Sequence, residues 1–247
     1  MLRVSKLKYM NNLMNGNIEE IENRFITVVA NPPYSTEWDP HTELLKYDDR
    51  FKDYGKLAPK SKADFAFLLH GFYHLKDTGT MGIVLPHGVL FRGGAEGVIR
   101  QTLLELGSID AVIGLPANIF YGTPIPTTII ILKKNRSNRD VLFIDASQDF
   151  EKRKNQNFLL EEHIEKIIST YKQRQAIEKY AYIASLEEIE ENDYNLNIPR
   201  YVDTFEEEEA IDLAQVQMDL DQINSEIVDI EKEINSYLNE LGVLKHD

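Results

Sequence analysis

The chain has 247 residues, 43% hydrophobic and 28% charged, enough for one or two domains with a buried core and unlike a disordered or collagenous chain. It has no cysteine, which excludes disulfides, thiolate metal sites and a cysteine nucleophile. The net charge of −14 is concentrated in residues 201–247, which hold 14 acidic against 2 basic side chains, and such a tail is repelled by a phosphate backbone. No apolar run has transmembrane length and the N-terminus lacks a signal-peptide core, so a soluble, cytoplasmic chain with no membrane contact is expected.

Weak helical patterning covers Leu7 to Met14 and stops at Asn15-Gly16. Phe25 to Ala30 is a short apolar run that meets Asn31-Pro32-Pro33, the pattern of a buried strand running into a rigid turn. Residues 35–62 are polar and turn-rich. Apolar positions Phe65, Leu68, Leu69, Phe72 and Leu75 predict a helix over Ala63 to Lys76, closed by Gly79. A strand follows at Met81 to Leu85, a helix at Gly97 to Leu106, and strands at Ile109 to Leu115, Thr127 to Leu132 and Val141 to Ile144. This alternation predicts an α/β sheet covered on both faces. The loop between the strands at Ile109 and Thr127 is too short for a crossover helix, so those two are expected to be antiparallel neighbours.

From Leu159 the pattern turns helical, over Leu160 to Tyr180 and again at Leu186 to Glu191, with an extended stretch from Tyr194 to Tyr201. The catalytic body is therefore expected to span 1–158 and a helical region 159–247. Within the latter, Leu213, Val216, Leu220, Ile223, Ile227, Ile230, Ile234, Tyr237, Leu241 and Leu244 repeat at strict 3-4 spacing inside a helix at about 206–244. Sustained heptads suit a helical partner better than packing on the chain's own domain.

The chemistry is carried by Asn31-Pro32-Pro33-Tyr34 after a strand, where α/β sheets hold their ligands. The lone pair of an exocyclic adenine amine is delocalised into the ring. Two acceptors aimed at its N–H bonds, the Asn31 side-chain oxygen and the Pro32 carbonyl, would draw the nitrogen towards sp³ and free that pair. Pro33 fixes the backbone, and Tyr34 offers a flat face to a base turned out of its duplex. Methyl transfer from a sulfonium would then need neither metal nor covalent intermediate, and methylation at carbon 5 of cytosine is excluded by the missing cysteine. The bland alternative is a proline-stiffened turn. The tetrapeptide alone also occurs in amino-methyltransferases that act on RNA or protein glutamine.

Longer blocks narrow the choice. Ala63 to His70, Ile83 to Gly97, Val112 to Pro116, Ile119 to Thr123 and Asn192 to Tyr201 resemble the methylation (M) subunit of type I restriction–modification systems, from about residue 25 onward. The resemblance implies a Rossmann-like methyltransferase sheet with antiparallel final strands, followed by a helical tail with a long coiled-coil-like helix. It also implies an adenine-N6 DNA methyltransferase that uses S-adenosyl-L-methionine. Two such subunits would work with a specificity (S) subunit, and a restriction (R) subunit can join. Asn31, Pro32, Pro33 and Tyr34 match the catalytic motif. Phe120 looks like a second aromatic against the flipped base, with a hydrophobic plug as its plainer role. Asn31 would also lie beside the cofactor, as would Phe65 or Phe67, although helical spacing favours a core role for the two phenylalanines. The heptad tail fits docking onto the S subunit's helices.

The family pattern places a Gly-rich cofactor loop well upstream of the catalytic motif, whereas only 30 residues precede Asn31 here, with Gly16 their sole glycine. The sequence thus resembles the C-terminal half of an M subunit, and the expectation is weak or absent cofactor binding and no activity alone, with the Phe25 strand at an unpaired parallel edge. A non-enzymatic remnant kept for its helical tail is the alternative. His70 and His74 have zinc-ligand spacing but no third ligand, so no metal is expected. Gly93-Gly94 reads as a turn before a helix, and Lys133, Lys134, Arg136 and Arg139 read as a solvated basic loop or a weak DNA contact.

Overall fold

The computed structural model describes residues 25–40, 42–204 and 213–241; the expected helix at Leu7 to Met14 and the last heptad residue, Leu244, lie outside them. The chain divides into two units, Met1–Thr204 and Phe205–Asp247.

The first unit is built on a six-stranded mixed sheet in the order β1-β2-β4-β3-β5-β8. Its strands are β1 (Phe25–Ala30), β2 (Leu75–Pro86), β3 (Ile109–Gly114), β4 (Thr127–Lys133), β5 (Val141–Asp145) and β8 (Ala181–Ala184), with a two-residue pair β6 (Glu151–Lys152) and β7 (Asn157–Phe158) beside it. β1 runs parallel to β2, and β3 runs parallel to β5. β4 lies antiparallel between β2 and β3, as the short loop before it required. The helices are α1 (Thr42–Leu45), α2 (Asp64–Tyr73), α3 (Gly94–Glu105), α4 (Glu161–Gln173) and α5 (Leu186–Glu191).

Alternation along the strands sorts the apolar residues into two layers. Met81, Ile83, Leu85, Val112, Ile130 and Leu132 face the larger core, together with Phe65, Leu68, Leu69 and Phe72 of α2 and Ile99, Leu103 and Leu104 of α3. Ala111, Ile113, Leu142 and Ile144 face a smaller core closed by Ile167 of α4 and by Tyr180. β1 departs from the buried strand expected of it: Ile26 and Val29 are 64% and 70% exposed. It is the outermost strand among the described residues, so one of its hydrogen-bonding edges and part of one face lack cover.

Other parts also differ from the sequence reading. β2 begins at Leu75, straight after α2; Leu75 is buried, but the Lys76, Asp77 and Thr78 that follow it are polar and exposed and carry no apolar signal. The boundary expected near 158 falls inside the first unit. Past it, β8 pairs antiparallel with β5, Tyr201 stacks on Phe143 with centroids 4.0 Å apart, and Leu196 N–H donates to the Leu90 carbonyl. Arg100, 4% exposed, donates to the carbonyls of Val89, Arg92 and Tyr194, which fastens the 192–202 segment to α3.

Three of the four basic residues at the end of β4 brace the protein internally, and Arg139 is exposed. Lys133 Nζ lies 2.8 Å from Asp110 Oδ2, Arg136 Nε and Arg174 Nη1 each lie 3.1 Å from Oδ1, and the Tyr171 hydroxyl donates to Oδ2 at 2.6 Å. Lys134 Nζ donates to the Tyr73 and Leu75 carbonyls. Burial alone would push the Asp110 carboxyl up, but Lys133, Tyr171 and Arg136 outweigh it and hold it below the usual carboxylate range. The two histidines of the zinc-like spacing are structural as well. Arg50 donates to His70 Nδ1 at 3.1 Å, and His74 Nδ1 lies 2.9 Å from the His70 carbonyl. Burial, then the neighbouring His74 and Arg50, push His70 down to about 3.

In the second unit, α6 (Leu213–Glu240) is a single helix of 28 residues. Its seam residues Val216, Leu220, Ile223, Ile227, Ile230, Ile234 and Tyr237 are each between 43% and 55% exposed.

Two outcomes are expected in denaturation experiments. Asp110→Ala leaves three cations without their shared carboxylate and should cost about 3 kcal/mol, the low end for a broken buried pair because Lys133 reaches solvent; an unchanged midpoint would contradict the bracing role. His70 is held neutral, so the stability it contributes is complete above the free imidazole value of about 6.5 and falls as pH drops towards 3, by up to about 1.4 kcal/mol per unit. His70→Gln should flatten that slope, and an identical slope in the variant would assign it to another group.

Candidate active site

The C-terminal ends of β1, β2 and β3 lie on one edge of the sheet, and antiparallel β4 begins there, with Pro86 paired to Thr127 and Gly114 paired to Thr128. The chain leaves β1 at Asn31, whose side chain is exposed, while Pro32 is buried and anchors the turn. Tyr34 is half-buried and its hydroxyl donates to Asn31 Oδ1 at 2.8 Å. Burial raises the Tyr34 phenol above its ordinary value, so it remains a donor at neutral pH. An amide oxygen has two lone pairs, and the bond from Tyr34 leaves one of them for a second donor.

Asp64, at the start of α2 and fully buried, was given no role by sequence reasoning. Its Oδ1 accepts the Ser35 N–H at 2.8 Å, and Ser35 has φ of 48°, a left-handed conformation that few non-glycine residues adopt unaided. Arg92 Nη1 reaches Asp64 Oδ2 at 3.3 Å and Glu96 Oε1 at 3.1 Å. The residue that follows the motif is thus tied to two helices. Further along, Ala63 N–H donates to the Thr36 carbonyl and the Trp38 indole to that of Pro59, which closes the 36–63 excursion back on the motif. Asp64 sits inside one of the distinctive blocks, but nothing in its periodicity marks it as a loop anchor.

The second aromatic arrives from the loop between β3 and β4. Phe120 and Tyr34 meet edge to face, with centroids 6.3 Å apart and planes at 73°. The β6–β7 pair straps this loop: Asn157 donates from Nδ2 to the Ala117 carbonyl and from its N–H to that of Asn118, and Gln156 Nε2 donates to the Ile119 carbonyl. These ties span about forty residues of sequence and left no signal in it. Asn31, Pro32, Pro33, Tyr34 and Phe120 are therefore gathered at one edge. Phe65 and Phe67 are 1% and 5% exposed and belong to the larger core.

Two cavities open in the first unit. An apolar cleft of about 480 Å³ lies beside Phe120, between Ile113, Ile129 and Val84 of the sheet and Ile168 and Tyr171 of α4. A more polar one of about 390 Å³ lies at the start of α3, lined by Gly93, Gly94, Arg100, Asn192 and Arg200. Gly94, at φ of 63°, makes the turn into α3, as the sequence suggested for the glycine pair. Among the described residues no cluster of three or more His, Asp or Glu side chains could hold a metal ion, and no helix is long and apolar enough to cross a membrane.

Comparison with known proteins assigns the family. The chain is 40% identical over 225 residues to the type I restriction enzyme MpnII methylase subunit of Mycoplasma pneumoniae, covering 90% of this chain and 41% of that protein. It is 38% identical over 230 residues to the MjaVIII methylase subunit of Methanocaldococcus jannaschii, covering 88% and 39%. Among solved structures, the methyltransferase subunit of a type I restriction–modification system from Streptococcus thermophilus superposes with a TM-score of 0.74 at 66% identity, over 75% of this chain and 39% of that one. The chain thus spans about two fifths of the length of these relatives. Residues 4–210 match the N-6 DNA Methylase family, and on that match the chain belongs to the N-6 DNA methylase family.

Proposed function

We propose that this chain carries the amino-accepting half of the active site of a type I restriction–modification methylation subunit, which transfers a methyl group from S-adenosyl-L-methionine to adenine N6 in DNA. The carrying observation is the meeting of Asn31 and Tyr34 with Phe120 at the C-terminal edge of the parallel strands. The residues present fit that chemistry: a neutral, exposed amide acceptor beside an aromatic pair, with no nucleophile required.

In the reaction, Tyr34 and Phe120 clasp the base and keep water from its face. Asn31 Oδ1 accepts one amino N–H through its remaining lone pair, the Pro32 carbonyl accepts the other, and together they localise the nitrogen lone pair. The cofactor, when bound, supplies an electrophilic methyl in line with that pair. Asn31 would face both groups. Asp64 and Arg92 act on the motif through Ser35, as positioning residues.

The relatives' being subunits of restriction enzymes and the charge of this chain support a reading with partner subunits. The exposed seam of α6, on the acidic stretch of the chain, fits the helices of a sequence-reading S subunit, with a second M subunit and an R subunit completing the assembly. Most of the DNA grip would come from the S subunit, since this chain is net acidic. A methyltransferase acting on RNA or protein glutamine would share the Asn31–Tyr34 geometry, but the relatives are restriction-system subunits.

Three results are expected. In the complete methyltransferase, Asn31→Ala should lower kcat by about 10²–10³-fold, as for loss of an oriented transition-state acceptor, with DNA affinity retained. Tyr34→Phe, which keeps the ring and only frees Asn31 Oδ1, should lose far less than Tyr34→Ala; equal losses would remove the stacking role. The 247-residue polypeptide alone spans two fifths of its relatives and is expected to give no turnover with DNA and cofactor and no calorimetric binding of S-adenosyl-L-methionine. Micromolar binding would show that these residues hold the whole cofactor site.

A further inference from the structure

The charges beside the exposed seam of α6 are not symmetric. With Leu220, Ile227 and Ile234 at the a positions of a heptad and Ile223, Ile230 and Tyr237 at the d positions, the g positions are Asp219, Glu226, Glu233 and Glu240, acidic in every heptad. The opposite flank, at e, holds Gln217, Asn224, Glu231 and Leu238, with no cation. The one basic residue of the helix, Lys232, stands on the outer face and lies 2.9 Å from Asp229. Three of the g carboxylates accept hydrogen bonds from their own helix. Gln215 Nε2 donates to Asp219 Oδ1 at 2.8 Å, Gln222 Nε2 to Glu226 Oε1 at 3.0 Å and the Tyr237 hydroxyl to Glu233 Oε1 at 3.0 Å. These donors are all neutral, so they orient the carboxylates and leave the charge for a cation from outside the helix.

Resting on the partner reading above, we infer that α6 docks against a helix that carries Lys or Arg along one flank of its own apolar seam, and that it rejects a second copy of this chain. The register carries this. In a parallel pair each g residue faces an e residue of the partner; in an antiparallel pair g faces g and e faces e. Two copies of α6 would set Glu226 against Glu231 in the first case and the whole acidic g row against itself in the second. In neither does a carboxylate meet a cation. A seam of isoleucine and leucine is sticky towards any similar seam, so discrimination falls to the flanks, where facing like charges exclude the wrong partner. A single basic row on the incoming helix answers the four g carboxylates together. Its other flank needs only polar or apolar groups opposite Gln217, Asn224 and Leu238.

The test uses the full chain without partner subunits, its helix content checked by circular dichroism, and two synthetic helices of α6's length. Both peptides carry the same Leu/Ile seam, one with Lys at e and g and the other with Glu there. The Lys peptide is expected to bind about 10- to 30-fold more tightly, as four exposed ion pairs would give, and the margin should shrink as salt is raised. Glu226→Gln with Glu233→Gln should narrow it to about 3- to 5-fold, and Glu226→Lys with Glu233→Lys should abolish it. Equal or absent binding of the two peptides, or self-association of the chain that Ile227→Asp removes, overturns the inference. A cognate sequence-reading subunit should bind the wild-type chain and lose about 10- to 30-fold on the double lysine variant. If that subunit binds the lysine variant like wild type but loses the Ile227→Asp chain, the partner reading stands and the basic row falls. If it binds Ile227→Asp like wild type, the partner reading falls and takes this inference with it.

Discussion

β4 has both hydrogen-bonding edges taken, by β2 on one side and β3 on the other, and it runs against both. Its start must therefore lie where β2 and β3 end. The twelve residues between Gly114 and Thr127 cannot cross to the far side of the sheet, so they form a loop on the edge where β1 also finishes. Asn31 leaves from one side of that edge and Phe120 returns from the other, and their neighbourhood follows from strand direction more than from any contact between them. The β6–β7 strap and the Asp64–Ser35 bond refine an arrangement that the sheet has already imposed.

Charge inside the first unit works mainly as fastening. Asp110 gathers Lys133, Arg136 and Arg174, Arg100 holds three backbone carbonyls, and Asp64 reaches from α2 to the loop that follows the motif. In each case a side chain joins elements that are distant in sequence, and its partners leave it little freedom. The cost of desolvating these groups is offset only where several partners converge, and several do here. The basic run after β4 looked in sequence like a patch for a polyanion; its first two lysines and Arg136 are instead committed within the protein. Any nucleic-acid grip must then come from elsewhere, in keeping with the acidic balance of the chain.

Much of the sheet was legible because its central strands carry continuous apolar runs, those of β2 and β3 ended by Pro or Gly, and because β3 and β4 are separated by too little chain for a crossover. For the motif, the sequence offered two acceptors and an aromatic in four residues, and the structure adds the Tyr34–Asn31 bond and the ring of Phe120 beside Tyr34. The unread parts share a physical cause. The first half of β2 is polar where the sheet is exposed, and β8 is a four-residue edge strand with a single side chain exposed. Asp64 and the Asn157 strap act through long-range hydrogen bonds that leave no periodicity. The early boundary at 158 reflects the same limit: β8 and the Tyr201–Phe143 stack fasten an irregular segment to the core, and irregular backbone has no period to detect.

The hydroxyl of Tyr34 resting on Asn31 Oδ1 has a further consequence. The amide oxygen already has a partner, so its orientation is set and only its second lone pair remains to be taken from water. On the proposed reading, that oxygen and the Pro32 carbonyl are both acceptors without hydrogens of their own. They would welcome a group that brings two N–H bonds and oppose a keto oxygen, lone pair against lone pair. Two hydrogens on the incoming atom would then be the entry requirement, and a purine whose six-position amine is replaced by oxygen would be turned away by electrostatics before any question of methyl transfer arises.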